Sequence, residues 1–375
     1  MASSTPRPRP TEPDVAIVGA GLAALTAYAA LRSGGLETGQ VRVFGLDPDP
    51  AAAWRVRAGA IRQTHMRSES DGHCLPRTFP GLAVRDARTQ RSLDPLIASV
   101  VDRYRPTVET FLAHVASVRR RTGWDESFTR RRVARVAATQ GGFSVDDDGP
   151  FRRVLVATGH PGLHIPPELA GDPRVVHAYE PHEYASRVAV VGAGMAAATE
   201  WLNALAAGAT VVSVRRREPV RLPLNLPRPM FSKRGLAAFH RSPPDERAAL
   251  LKRFSAPSYP PGRAWDAPLA AANGEFRVGA TPDDAKDAEQ VICATGFERG
   301  YGHDHVLAGL VKEHGLETVN GWIVLDEDGA VPRLSSSGRT LALAGIHAQW
   351  AFPAADTLAG MRYIGHRFLR RCRTR

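Results

Sequence analysis

Two copies of one local unit constrain this chain more than any other feature: a short β-branched run that breaks at Gly-x-Gly-x-x-Ala and continues as a helix. The first copy reads DVAIVGAGLAALTAYAALRSGG from Asp14, and the second reads RVAVVGAGMAAATEWLNALAAG from Arg187. In each, the glycines (Gly19 and Gly21, then Gly192 and Gly194) let the backbone turn sharply and approach a pyrophosphate. The following helix offers its N-terminus to that charge. The motifs close on Ala24 and Ala197. Each helix is expected to stop at a glycine, Gly34 or Gly208, and a second valine-rich strand follows at 41–44 and 210–214. The expected fold class is therefore α/β, with two Rossmann-like dinucleotide-binding domains.

The residues that close the two second strands differ in charge, and the difference sorts the ligands. After the first strand comes Gly-Leu-Asp47, and an acidic residue about 20 or more positions past such glycines binds a ribose 2′-hydroxyl, as in FAD or NAD. After the second comes Arg215-Arg216-Arg217, suited to a ribose 2′-phosphate. This predicts FAD in the first unit and NADPH in the second. Each end also has a plainer reading. Asp47 shares a loop with Asp49, where both can form turns, and the arginines can make a solvated basic edge.

Two further strings extend the pattern: LVATGHPG at 155–162 and VICATGF at 291–297, each a buried strand ending in Ala-Thr-Gly. With the glycine turns, they resemble the two-dinucleotide-binding flavoproteins, and within them the class B flavin monooxygenases: flavin-containing monooxygenases, Baeyer–Villiger enzymes and ornithine or lysine N-hydroxylases. The resemblance covers roughly Asp14 to Arg371. In that family the Ala-Thr-Gly strings lie beside the cofactors where the chain crosses between domains, which assigns Thr158, Gly159, Thr295 and Gly296 to cofactor binding. It also implies that His177 is the linker histidine ahead of the second unit and that Trp54 precedes the flavin-facing segment. By the same resemblance Arg62, Gln63 and His65 supply polar groups at the active site, and Gly345, where the TLALA strand ends, lies beside the flavin. Taken alone, Arg62, Gln63 and His65 are equally surface-loop residues, while Trp350 and Phe352 either wall the site or pack under the last helix. The family's Gly-Gly before the tryptophan is Ala52-Ala53 here, and no Baeyer–Villiger His-Thr-x-x-Trp string occurs. N-, S- and Baeyer–Villiger oxygenation thus stay open.

The implied chemistry is reduction of FAD by NADPH, followed by insertion of one atom of O2 into a small-molecule substrate through a C4a-peroxyflavin that a dry pocket protects. The same motifs fit an NADPH-dependent flavoprotein reductase or dehydrogenase. Outside enzymes, they fit a non-catalytic dinucleotide-binding protein.

With 375 residues and 43% hydrophobic content the chain can bury two cores. The expected organisation is a disordered leader at 1–13, an FAD-binding domain at 14–185 plus 291–375, and an inserted NADPH-binding domain at 186–290 with a proline-rich stretch. Locally, the sequence reads as irregular from Trp54 to Asp86, helical from Ser92 to Arg121 with a break near Pro106, and a β-meander from Arg132 to Val156. A short helix capped by Ser242 is expected to reach Phe254, and a last helix to run from about Ala354 to Arg371. The three cysteines include no Cys-x-x-Cys, which argues against a disulfide scaffold and against redox-disulfide chemistry. The N-terminus lacks the apolar core of a signal peptide, and no apolar run spans a bilayer, so a cytoplasmic protein without a membrane partner is expected. Scattered arginines supply the net charge of +11. That favours phosphorylated cofactors over nucleic acid, which wants one basic stripe interleaved with aromatics. No metal site is read.

Overall fold

The computed structural model describes residues 14–66, 82–100, 104–215, 220–222, 226–259, 275–278 and 285–373. It forms two compact units. One comprises the chain up to Pro50, Val115–Gly159 and the chain from Asp304; the other comprises Ala51–His114 and His160–His303.

The first unit is built on a parallel sheet. β1 (Val15–Val18) pairs with β2 (Val41–Gly45), and β2 pairs with β3 (Phe128–Arg130). All four β1 side chains are buried, as a strand covered on both faces requires, which explains its unbroken apolar run. The helix Leu22–Ser33 follows β1 through the glycine turn. Beside this layer stands a three-stranded antiparallel meander of β4 (Val136–Thr139), β5 (Gly142–Val145) and β6 (Asp148–Phe151). It is shorter than the sequence predicts. β7 (Arg153–Val156) leaves the meander to pair with the other edge of β1, because it too must be covered on both faces.

The second unit repeats the plan. β8 (Val175–His177), β9 (Arg187–Val191) and β10 (Thr210–Arg215) lie in one parallel sheet, while β11 (Val220–Arg221) and β12 (Ser258–Tyr259) make a separate two-stranded pair. β13 (Glu275–Val278) and β14 (Gln290–Cys293) complete the five-stranded order β13-β10-β9-β14-β8. Alternation along β9 sets its two cores. Val188 and Val190 pack with Ala197, Trp201 and Ile292, while Ala189 and Val191 pack with Val212, Val214 and Cys293.

Three helical expectations need correction. The stretch read as irregular from Trp54 holds a helix at Ala52–Ala60, and Asp86 lies inside a second at Leu82–Gln90; both segments are rich in alanine and arginine, good helix formers. The helix expected from Ser242 to Phe254 is present as Pro244–Phe254, although Ser242 does not cap it, and a separate helix precedes it. Lys233–Arg241 is capped by Ser232, whose oxygen accepts the Gly235 N–H at 3.0 Å, and Ser242 closes it; Pro244–Phe254 then opens after Pro243. The break near Pro106 is present, between Asp94–Val100 and Val108–Thr122.

The chain returns to the first unit through the short pair β15 (Thr318–Val319) and β16 (Trp322–Ile323), and β17 (Thr340–Leu343) adds to the far edge of β7. The last helix spans Leu358–Arg373 and starts later than the sequence reading, because Thr357 caps it, accepting the Gly360 N–H at 3.1 Å. Among the described residues no helix is long and apolar enough to cross a membrane.

Candidate cofactor sites

Register decides what meets at the top of the first sheet. Val18 stands beside Val156 and Phe44, and Leu343 stands beside Val156. The segments after β1, β2, β7 and β17 therefore leave the sheet at one edge, which gathers Gly19, Gly21, Thr158, Gly159 and Gly345. Ligands of open α/β sheets bind at this carboxyl edge. Gly19 has φ +103°, and a Cβ there would lie 2.2 Å from the Ala157 carbonyl oxygen, so only glycine fits. Gly21 is the opposite case. It precedes the helix in extended conformation, and a Cβ there would meet nothing within 4 Å.

That open space leaves room for a ligand. No side chain caps the helix N-terminus and no acidic residue lies in its first turn, so its positive end stays available to an anion. Ala24 is fully buried beneath it. The Thr158 hydroxyl is buried and, among the described residues, has no hydrogen-bond partner. Buried hydroxyls are rarely left so, and a bound polar group would satisfy this one. These features fit a dinucleotide pyrophosphate. Asp47 is exposed, and its Oδ1 accepts the Asp49 N–H at 2.8 Å, which is the turn-forming geometry.

One residue at this edge was not singled out from the sequence. His347, two positions beyond Gly345, has a side chain only 7% exposed, and its Nε2 lies 3.6 Å from Asp304 Oδ2. Burial pushes its pKa below the usual 6.5 in spite of the nearby carboxylate. Asp304 Oδ1 meanwhile accepts the Val306 and Leu307 N–H groups at 3.0 Å each, capping the helix His305–His314. The signal was a histidine just past a buried strand end. Nearby, Phe352 stacks on Tyr363 of the last helix at 4.4 Å, and Trp350 is fully buried, which is the packing alternative.

The second unit repeats the glycine turn, with less room at its second glycine, where a Cβ on Gly194 would lie 3.5 Å from the Pro257 side chain. Gly192 has φ +139°, and a Cβ would approach the Ala294 carbonyl oxygen to 2.5 Å. Gly194 opens the helix Met195–Ala206, again with no side-chain cap and no acidic residue in the first turn; Ala197 is fully buried. Cys293 pairs in register with Val191 and His177, so Thr295, Gly296 and the residues after His177 share the edge with the glycine turn. The Thr295 hydroxyl donates to the His164 carbonyl. His177 is fully buried: its Nδ1 accepts the Tyr179 N–H at 3.1 Å and its Nε2 lies 2.9 Å from the Gly296 carbonyl. The tautomer follows, with the proton on Nε2. Burial holds the pKa below 6.5.

The three arginines do not share one fate. Arg215 is 7% exposed, donates from Nη1 to Ser213 Oγ at 2.9 Å, and lies 5.7 Å from the Trp201 ring centre. Arg216 and Arg217 lie outside the described residues.

The segment read as flavin-facing belongs to this unit. Trp54 sits on the helix Ala52–Ala60 with its ring edge-on to Phe111 at 5.0 Å. Arg62, at φ +48°, pairs with Glu183 at 3.0 Å and lies 4.8 Å from the Tyr184 ring centre. Gln63 donates to the His65 carbonyl at 2.7 Å, and His65 Nδ1 lies 3.0 Å from the Thr64 hydroxyl. Beneath Arg62, Tyr184 donates to Glu200 Oε2 at 2.8 Å, and His182 meets the same oxygen.

No protein-family model matches the chain, and no curated protein matches it in sequence. Solved structures do match its fold. The ornithine N-hydroxylase of Kutzneria sp. 744, crystallised with reduced FAD, NADP+ and L-ornithine, aligns with TM-score 0.70 at 16% identity over 96% of this chain and 98% of its own. The ornithine hydroxylase of Pseudomonas aeruginosa aligns with TM-score 0.66 at 16% identity, over 97% and 100%. The bacillithiol disulfide reductase of Bacillus cereus aligns with TM-score 0.56 at 15% identity, over 96% and 98%. The chain shares the fold of these proteins, with the two parallel-sheet units that the repeated glycine turns anticipate.

Proposed function

We propose that this chain is an FAD- and NADPH-dependent oxidoreductase, and that it acts as a monooxygenase on a small molecule. One observation carries the reading: each parallel sheet ends in its own glycine turn, followed by a helix whose N-terminus no side chain caps. Gly19, Gly21, Thr158, Gly159 and Gly345 would hold FAD in the first unit, and Gly192, Gly194, Thr295 and Gly296 would hold NADPH in the second. Bound flavin supplies hydride acceptance from NADPH and reaction with O2. The chain's own part is to bind, to orient and to exclude water. Arg62, Gln63 and His65 are the polar groups assigned to the reacting face.

The likeness to the two ornithine hydroxylases supports oxygen insertion and makes a primary amine the first acceptor to try. The likeness to the disulfide reductase favours a second reading, electron transfer without oxygenation. Cysteine chemistry of that kind lacks support here, since Cys293 is buried in β14 with its thiol pushed up to about 11. Labelled dioxygen tests the choice. A monooxygenase leaves one labelled atom in the product and, without substrate, consumes NADPH slowly to yield hydrogen peroxide. Anaerobic turnover with an artificial acceptor, and no label in any product, would establish the reductase instead.

A further inference from the structure

The helix Ala52–Ala60 carries a half-buried arginine that the cofactor reading does not use. Among the described residues the Arg57 guanidinium donates no hydrogen bond and pairs with no carboxylate. Its contact is a ring: the guanidinium carbon lies 4.6 Å from the centre of Phe297. Phe297 is itself locked in a parallel stack, with His160 at 4.1 Å and Tyr179 at 5.1 Å. The carboxylates in this region are engaged elsewhere. Glu180 accepts the His177 backbone N–H at 3.0 Å, and Glu298 faces His164 at 3.2 Å and His303 at 3.6 Å.

A partly desolvated cation with no counter-charge is costly, and folds keep such groups chiefly where a ligand supplies the missing charge. Burial does lower the Arg57 pKa. Location adds a second, independent pointer, because Phe297 follows Gly296 at the carboxyl edge of the second sheet, and a Cβ on Gly296 would meet nothing within 4 Å. Five N–H donors in a fixed fork, backed by an aromatic wall, match the two oxygens of a carboxylate or phosphate.

We infer that Arg57, braced by Phe297, is an oxyanion-binding subsite of the second unit. The oxyanion can be a phosphate of the dinucleotide or a carboxylate of the substrate. The inference stands apart from the proposed oxygenation, since it concerns binding alone and reads out without turnover.

The test uses the full-length protein and two variants, Arg57→Met, which keeps the apolar stem, and Arg57→Lys, which keeps the charge. NADP+, inorganic phosphate and acetate are titrated separately by calorimetry or by thermal shift. Binding of at least one probe should weaken roughly tenfold in Arg57→Met, the equivalent of about 1.4 kcal/mol, with Arg57→Lys in between. Loss on NADP+ and phosphate assigns the dinucleotide; loss on acetate alone assigns a substrate carboxylate. Without ligand, at low salt, Arg57→Met should unfold at or above the wild-type temperature. If Arg57→Met binds all three probes within twofold of wild type, there is no subsite. If it unfolds well below wild type and Arg57→Lys binds no better, the arginine is structural and the inference fails.

Discussion

In the second unit the His182 ring and the Glu200 carboxylate form a buried pair, with Nε2 and Oε2 3.0 Å apart and their side chains 3% and 0% exposed. His182 Nδ1 lies 2.7 Å from the Glu180 carbonyl, which only accepts, so that nitrogen carries a proton. A second proton lies between Nε2 and Oε2. Burial acts to lower the histidine pKa, but the hydrogen bonds to Glu200 and to the Glu180 carbonyl, with the Glu200 charge, outweigh it and raise the value above 6.5. Among the described residues the other carboxylate oxygen, Oε1, is buried without a partner, so loss of that proton would leave the charge poorly compensated.

The sign of the pH effect follows. A raised folded-state pKa contributes stability that is fully present below the unfolded value of about 6.5 and is lost as pH rises through the higher folded value. The thermal midpoint should therefore fall on the alkaline side, and His182→Asn should flatten that limb. Removing one partner of a buried pair costs about 3–5 kcal/mol, so Glu200→Ala should lower the midpoint sharply at every pH. A wild-type alkaline limb that His182→Asn leaves unchanged would place its cause elsewhere.

The acid limb belongs to other histidines. His177 and His347 both have lowered pKa values, chiefly from burial. Their contribution is present above about 6.5 and is lost as pH falls toward the folded values, because protonation breaks the Tyr179 N–H to His177 Nδ1 bond and charges a buried ring. Scanning calorimetry from pH 7.5 down to pH 5 should show this, with a smaller decline in His177→Gln. Replacing His177 with alanine leaves the Gly296 carbonyl and the Tyr179 N–H without this partner, at a cost of about 1–3 kcal/mol at neutral pH.

The two glycines of the first turn should separate in experiment. Gly19→Ala forces a Cβ to 2.2 Å from the Ala157 oxygen at a φ of +103°, so the fold itself should suffer. Gly21→Val meets open space and should fold normally, yet lose the yellow flavin colour because the side chain fills that space. Unfolding temperature and flavin content, measured on the same preparations, check both. If Gly21→Val retains flavin, the pyrophosphate lies elsewhere.

Cofactor choice should divide among the arginines. Arg215 is packed against Ser213 and Trp201, so Arg215→Met should change stability more than the NADPH to NADH preference. Arg216→Ala should weaken NADPH roughly tenfold or more while sparing NADH, since one charge-assisted bond to phosphate is worth about 1.5–3 kcal/mol. Dissociation constants for both nucleotides decide. Equal loss on both from Arg216→Ala would remove that arginine from phosphate recognition.

By itself the amino-acid sequence determined what depends on neighbours along the chain. A β-branched run, a glycine turn and an alanine-rich helix are local units, so the two glycine turns and the two Ala-Thr-Gly strand ends were legible, as was the resemblance they carry. Only the tertiary structure decided what depends on residues far apart. Arg153–Val156 reads as a meander strand until β1 covers it, and Arg215 reads as a phosphate ligand until Ser213 and Trp201 enclose it. His182 and Glu200 lie 18 positions apart, and nothing in their spacing reveals that one proton sits between them. Arg57 reads as one arginine among many. Its missing counter-charge is a property of packing, because it emerges only when the fold seats Phe297 beside it and engages the nearby carboxylates with other donors.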